Sequence, residues 1–331
     1  MIRFALIGAG FIGGVHARNL AAHPGVDFDL VYDIDPARAA AVAERHGARV
    51  ATDLDAVFAS RELDAVFIAS STNTHADYLR RAAGAGKAIL CEKPIDLDAA
   101  QSRDAVAAVR DAGVAAMMDF NRRFDPSHAA LRASVADGEA GAIELIQMTS
   151  RGPTVPPIEY IRVSGGQMRD QTIHFFDLLR WITGDEPVEV HVMGAALADP
   201  RVAEVGDVDT SIALLRMRGG ALCQIDSARR TGYGYDERIE VFGSKGMVES
   251  RRQRFRGVSR YVGDRVIEDG LHAGWFERIE GSYYQALDAF VSALRDGAAP
   301  SPSLEDGLRA QLIAEAATES LKTGVPVSIA R

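Results

Sequence analysis

The run Gly8-Ala9-Gly10-Phe11-Ile12-Gly13 constrains this chain more than any other stretch. It follows the apolar segment Phe4-Ala5-Leu6-Ile7, and an acid, Asp33, closes the next apolar segment. Strand, glycine loop, helix start and acid in that order are the fingerprint of a dinucleotide-binding β-α-β unit. Gly8 permits a tight turn out of the strand. Gly10 has no side chain to hold a pyrophosphate off the backbone, and Gly13 lets the helix sit close to the sheet. The helix start then offers N–H groups and a partial positive charge to the phosphates. A carboxylate at Asp33 suits the adenosine ribose hydroxyls and repels a 2′-phosphate. Tyr32 and Ile34 place no cation beside it, and Arg38 belongs to the following helix. NAD is therefore favoured over NADP. Asp35, before Pro36, reads as a turn or N-cap residue.

At 331 residues the chain has room for about two domains. The formal net charge of −9 argues against a broad nucleic-acid surface. The arginines at Arg251, Arg252, Arg254 and Arg256 read as a solvated loop or strand face. No apolar run is long enough for a spanning helix, so no membrane association is expected. The N-terminus enters the first strand directly, which leaves no room for a signal peptide. Cys91 and Cys223 lack both a disulfide framework and metal-ligand spacing, so no metal is expected. Cys91 is expected in a buried strand. A reducing, cytoplasmic setting fits this cysteine usage.

Residues 1–120 alternate apolar runs, ending near Ile7, Val31, Ile68, Leu90 and Met118, with helical stretches at Ala37–His46, Ala76–Ala85 and Ala99–Asp111. That rhythm predicts an α/β fold with a parallel sheet covered on both faces, a Rossmann nucleotide-binding domain. The segment Phe120-Asn121-Arg122-Arg123-Phe124-Asp125-Pro126 breaks it, and a second domain is expected over 121–331. There, β-like segments at Glu144–Ser150, Val188–Ala196, Thr210–Arg216, Ala221–Ser227, Arg238–Phe242 and Met247–Ser250 predict a large, mostly antiparallel sheet. Gly219-Gly220 and Gly243-Ser244-Lys245-Gly246 are hairpin connections. Helices near Gln171–Thr183, Tyr283–Arg295 and Glu305–Thr323 would cover one face. The other face would suit a homodimer or homotetramer contact.

Three segments could carry chemistry. Cys91-Glu92-Lys93-Pro94 follows a strand, and strand ends in such sheets face the ligand crevice. A lysine there can stabilise a developing alkoxide. Local sequence alone favours a surface lysine paired with Glu92. Asp170 and His174 stand four apart and share a helix face; a carboxylate orienting an imidazole moves protons near neutral pH. A helix-starting aspartate beside a satisfied core histidine accounts for that pattern equally well. Asp177 and Arg180 read as an i,i+3 pair. Ser70-Ser71-Thr72-Asn73-Thr74-His75 opens a helix beside the expected nicotinamide half of the cofactor, or simply caps that helix through Thr72 or Asn73.

Taken together, Gly8–Gly13, Ser71-Thr72-Asn73-Thr74-His75, Glu92-Lys93-Pro94 and Asp170…His174 resemble, in order and spacing, the Gfo/Idh/MocA oxidoreductase family over essentially the whole chain. Asn121-Arg122-Arg123-Phe124-Asp125-Pro126, Pro156-Pro157-Ile158-Glu159-Tyr160-Ile161, Tyr233-Gly234-Tyr235-Asp236 and Glu240-Val241-Phe242-Gly243-Ser244-Lys245-Gly246 look like the inositol 2-dehydrogenases within it. The resemblance implies NAD-dependent oxidation of a ring secondary alcohol of a cyclitol or sugar to a ketone. Lys93 would contact the reacting oxygen across a cis Lys93–Pro94 bond, His174 would accept the proton, and Asp170 would polarise His174. Cofactor contacts would come from Gly8, Gly10, Phe11, Ile12, Gly13, Asp33, Ser70, Ser71, Asn73, His75, Glu92 and Lys93. Substrate contacts would come from Lys93, Arg122, Arg151, Asp170, His174 and Tyr233. Two positions depart from the inositol pattern: Phe175 stands where an acid usually follows the histidine, and Gly152 where Asn or Asp usually precedes Pro153. Both bear on which ring isomer fits. The rival activities are epimerisation or glycoside cleavage with resident NAD, and non-catalytic dinucleotide sensing.

Overall fold

In the computed structural model, residues 1–330 are described. The chain divides into two compact units. The first comprises Met1–Asn121 with Ser282–Gln311; the second comprises Arg122–Gly281 with the C-terminal stretch from Leu312.

The first unit alternates β1 (Ile2–Ile7), α1 (Phe11–Ala22), β2 (Val26–Tyr32), α2 (Pro36–His46), β3 (Arg49–Val50), α3 (Leu54–Ala59), β4 (Ala65–Ile68), α4 (His75–Gly84), β5 (Ala88–Cys91), α5 (Ala99–Ala112) and β6 (Ala116–Met118). The strands form one parallel sheet in the order β3-β2-β1-β4-β5-β6. Its central strands are apolar throughout: every residue of Phe4–Ile7 and of Ala65–Ile68 is buried. Each such Phe, Leu or Ile contributes about 1.5–3 kcal/mol of burial. Local signals set the helix ends. Asp35 accepts the Ala37 N–H at 3.0 Å with Pro36 at the first helical position, and Gly47 closes α2 in the left-handed region. Asp98 caps α5 in the same way, and Gly113 ends it. Register pairs Ile7 with Tyr32 and Ile68, and Ile68 with Cys91. Gly8, Asp33, Ser70 and Glu92-Lys93 therefore leave the sheet along one edge.

In the second unit come α6 (Pro126–Ala136), β7 (Ile143–Arg151), α7 (Ile158–Val163), α8 (Ile173–Thr183), β8 (Pro187–Ala195), α9 (Arg201–Glu204), β9 (Thr210–Met217), β10 (Leu222–Ala228), β11 (Asp236–Gly243), β12 (Gly246–Ser250), β13 (Ser259–Val262) and β14 (Arg265–Glu268). They are followed along the chain by α10 (Trp275–Asp296), α11 (Leu304–Thr323) and β15 (Val327–Ser328). The main sheet runs β12-β11-β7-β10-β9-β8-β15 and is antiparallel except at β7–β10. Phe175, Phe176 and Leu179 of α8 and Ile313, Ala314 and Ala317 of α11 pack on one face, against Ile146, Met148, Leu215, Ile225 and Val241. The opposite face leaves Ile212, Leu214, Leu222, Phe242 and Met247 exposed.

Two features depart from the expectation. The stretch Tyr283–Arg295, expected over the antiparallel sheet, belongs with the first unit. Phe290 is buried there with its ring edge-on to Phe4, and Gly307 lies against Met118 and Ile95, a fit that a Cβ would obstruct. Helix α10 also begins earlier, at Trp275. Asp177, expected beside Arg180, is buried in a two-point contact with Arg123 (2.5 and 2.8 Å), and Arg180 reaches Glu186 at 2.7 Å. A planar guanidinium with matching geometry suits a buried carboxylate. The hairpin β13–β14, fully exposed, lay outside the sequence expectation. Arg251, Arg252, Arg254 and Arg256 fall in the exposed approach to it; three of them pair with Glu249, Asp236 and Glu268. No helix among the described residues is long and apolar enough to cross a membrane.

Candidate active site

The glycine loop has the backbone its sequence calls for. Gly8 sits at φ +105°, and a Cβ there would lie 2.5 Å from the Ala69 carbonyl oxygen. A Cβ on Gly13 would collide with the Gly8 carbonyl, so α1 packs against the loop only with glycine there. A Cβ on Gly10 would meet nothing within 4 Å: the space beside it is open, as a pyrophosphate requires. Gly10 is also the N-cap of α1 and supplies no side-chain cap, so the helix start keeps its donors for a ligand. Phe11 is exposed beside it, and Ile12 follows half-buried. Asp33 closes the loop: Oδ2 accepts the Ala9 N–H at 2.6 Å and Oδ1 accepts the Asp35 N–H at 2.8 Å. Each oxygen retains a lone pair for a ribose hydroxyl. The donor set and the open cradle fit a dinucleotide.

Along the same sheet edge, Ser70 begins a short 3₁₀ turn, Thr72–Thr74, that leads into α4. No side chain caps that turn or α4; Thr74 Oγ1 instead donates to the Ser71 carbonyl at 2.7 Å and meets Ser70 Oγ at 2.7 Å. Asn73, exposed, is thus not spent on capping. His75 is buried, and its ring bridges the carbonyls of Pro94 (2.7 Å) and Ser70 (3.0 Å). It fastens the Ser70 loop to the Lys93-Pro94 turn. That bond is cis, as the resemblance implied. Glu92, which local sequence favoured as a surface partner of Lys93, is buried. Its Oε1 lies 2.9 Å from His16 Nε2, and its Oε2 accepts the Lys93 N–H at 3.2 Å. Burial works against ionising Glu92, but the His16 hydrogen bond and the charges of His16, Lys93 and His75 outweigh it and hold the carboxyl below its ordinary value. Cys91 is fully buried, and its thiol is pushed up by that burial.

In the second unit, Asp170 lies in a single π turn, Met168–Thr172, ahead of α8, rather than on a continuous α-helix with His174. Such turns widen a helix locally and recur at functional sites. Tyr160 donates to Asp170 Oδ1 at 2.8 Å, and buried Arg229 reaches Oδ2 at 3.4 Å while also holding Asp207 at 3.1 Å. His174 is buried at the start of α8. Phe175 beside it belongs to the core under the sheet, so this departure from the inositol pattern is met by packing. Arg151 and Tyr233 come together: Arg151 donates to Asp226 at 2.5 Å and to the Tyr233 hydroxyl at 3.2 Å, and that hydroxyl donates to Asp236 at 2.9 Å. The Asp226 hydrogen bond, acting against partial burial, raises the Arg151 pKa further still, so this cation is permanent. Gly152 has ordinary clearance from Ala228, so a side chain could be housed there. Arg122 is buried, its guanidinium spanning Glu237 and the Tyr235 hydroxyl at 3.3 Å each. Tyr160, Arg229, Asp226 and His16 carried no role in the sequence reading. Only His16 had a legible signal, its position one helical turn beyond Gly13.

Known proteins place this arrangement. The profile of the oxidoreductase family with an NAD-binding Rossmann fold, GFO_IDH_MocA, matches residues 2–120. That of the GFO/IDH/MocA C-terminal domain matches 128–249. The chain is 42% identical over 329 residues to the inositol 2-dehydrogenase of Rhizobium meliloti strain 1021, covering 99% of both. The crystal structure of a myo-inositol dehydrogenase from Corynebacterium glutamicum superposes with a TM-score of 0.93 at 40% identity, over 100% of this chain and 99% of that one. A scyllo-inositol dehydrogenase from Lactobacillus casei, solved with NAD(H) and scyllo-inositol, superposes at 0.93 with 26% identity over the whole of both chains. From its first strand through its C-terminal sheet, this chain belongs to the Gfo/Idh/MocA oxidoreductase family.

Proposed function

We propose that this protein oxidises one ring secondary alcohol of a cyclitol, an inositol, to the ketone, with NAD as oxidant. The full-length likeness to inositol dehydrogenases carries this reading, and the open glycine cradle with Asp33 supports the cofactor. NAD, when bound, takes the hydride from the carbinol carbon. Lys93 donates from Nζ to the carbinol oxygen and stabilises its alkoxide character. His174 accepts the hydroxyl proton on a ring nitrogen, and Asp170 supports the imidazolium that results. The proton thus goes to His174, the hydride leaves carbon, and the C–O bond becomes a carbonyl. Arg151, Tyr233 and Arg122 contribute polar groups to the ring hydroxyls. Ser70, Ser71, Asn73, His75 and Glu92 serve the cofactor half, His75 and Glu92 by holding the Lys93 turn.

We also infer a homodimer or homotetramer that buries the exposed apolar face of the large sheet, and a cytoplasmic setting in keeping with two buried, free cysteines. A face carrying Ile212, Leu214, Leu222, Phe242 and Met247 is costly to leave in water.

The experiment is a panel of inositol isomers and hexoses with NAD and NADP, following NADH absorbance and identifying the ketone by mass spectrometry. Stoichiometric inosose formation with NAD is the expected result. Product without net NADH would move the assignment to epimerisation or cleavage with resident cofactor. Tight NAD binding without any turnover would leave a sensor.

A further inference from the structure

A second histidine, distant in sequence from the proposed catalytic one, holds the turn that carries Lys93. His16 lies in α1, and its side chain is fully buried. Its ring rests on Phe67 of β4 with centroids 3.9 Å apart and meets Tyr283 edge-on at 5.5 Å. Nε2 faces two carboxylates, Glu92 Oε1 at 2.9 Å and Asp119 Oδ2 at 3.6 Å. The other Glu92 oxygen accepts the Lys93 N–H. An unbroken polar chain therefore runs from the helix that begins at the cofactor loop, through imidazole and carboxylate, to the backbone of Lys93. On the other side of Lys93, the Pro94 carbonyl is held by His75.

Two buried carboxylates around one imidazole are expensive to desolvate, and apolar side chains of like volume commonly serve stability as well or better. Packing alone thus gives no reason for these three residues. A requirement for one fixed turn geometry does, because a carboxylate locked on one side by His16 can hold the Lys93 amide on the other.

We propose that His16 is a positioning residue for the reaction, which acts through Glu92 to fix the Lys93 turn relative to the cofactor loop. This rests on the assignment of Lys93 to the reacting oxygen.

Three variants test it. His16→Leu keeps the volume and removes the donor, His16→Gln keeps an N–H for Glu92, and Glu92→Gln removes the charge while preserving shape. A displacement near 1 Å costs about a hundredfold in rate, so His16→Leu should lower kcat by about thirtyfold or more. NAD affinity, measured by calorimetry, should stay within about threefold, because the glycine cradle is untouched. In the substrate-free protein, amides of the 91–95 turn should exchange hydrogen faster in His16→Leu than in wild type. His16→Gln should recover most of the lost kcat and the amide protection. Glu92→Gln, which keeps the inference testable if His16→Leu fails to fold, should lower kcat about tenfold at unchanged NAD affinity. A folded His16→Leu or Glu92→Gln protein with kcat within about threefold of wild type overturns the inference, as does a loss expressed in NAD affinity instead of kcat. Lys93→Ala separates the two levels. If it turns over normally, the assignment of Lys93 fails; if it is inactive while the other variants are normal, only the role of His16 fails.

Discussion

Asp33→Ala removes one carboxylate with two tasks, and the structure lets both be sized. A hydrogen bond from a ribose hydroxyl to an ionised acceptor is worth about 1.5–3 kcal/mol, so its loss weakens NAD by about tenfold to a hundredfold. The same carboxylate repels a 2′-phosphate. Two negative charges about 5 Å away in a water-like medium cost about 1.7 kcal/mol, which the substitution relieves for NADP. Together the NAD/NADP ratio of kcat/KM should fall by about a hundredfold or more, with NADP improving about tenfold in absolute terms. The Ala9 and Asp35 amides also lose their acceptor, at about 1 kcal/mol or more between them, so the melting temperature should drop by a few degrees. Initial rates with inositol and each cofactor, beside a thermal melt, measure both effects. A cofactor ratio unchanged within about threefold would refute this role of Asp33.

Three further outcomes follow from the second unit. Arg123→Met removes the guanidinium that holds the buried Asp177 carboxylate at two points and should cost about 3–5 kcal/mol in urea unfolding, with a large part regained in Arg123→Met/Asp177→Leu; a single variant as stable as wild type would contradict the pairing. Glu237 is buried, which alone would raise its pKa, but Arg122, His128 and Tyr235 hold it well below the ordinary 4.5. A depressed folded value means stabilisation present above pH 4.5 and lost as pH falls through the folded value. The stability gap between wild type and Glu237→Gln should therefore narrow on acidification below 4.5, and a gap constant from neutral pH to pH 3 would remove the carboxylate from that account. Tyr160→Phe deletes one of the contacts on Asp170 and should lower kcat by about three- to tenfold with little change in NAD affinity; an unaltered kcat would show that Asp170 needs no support from that hydroxyl.

The Rossmann half was legible because its signals are local. Near-continuous apolar strands, caps such as Asp35-Pro36, and a glycine loop in which Gly8 and Gly13 answer backbone demands lie within a few residues of their consequences. The cofactor side of the site follows directly, since register alone brings Gly8, Asp33, Ser70 and Lys93 to one sheet edge. What escaped depends on contacts between distant residues. Nothing near His16 announces Glu92, and Asp177 is nearer in sequence to Arg180 than to the Arg123 it binds. The π turn at Asp170 also has no periodicity of its own, so even spacing suggested a plain helix. Tyr283–Arg295 has the amphipathic pattern of a sheet-covering helix, and its pattern could not say which sheet.

The claim on which the rest depends is that Lys93 stabilises the alkoxide as hydride leaves carbon. Single-turnover formation of NADH, by stopped-flow absorbance on NAD-saturated protein mixed with its cyclitol substrate, isolates that step. The account predicts a fall of about a thousandfold or more in Lys93→Ala, with NAD affinity preserved. A burst of NADH at the wild-type rate from that variant would contradict it.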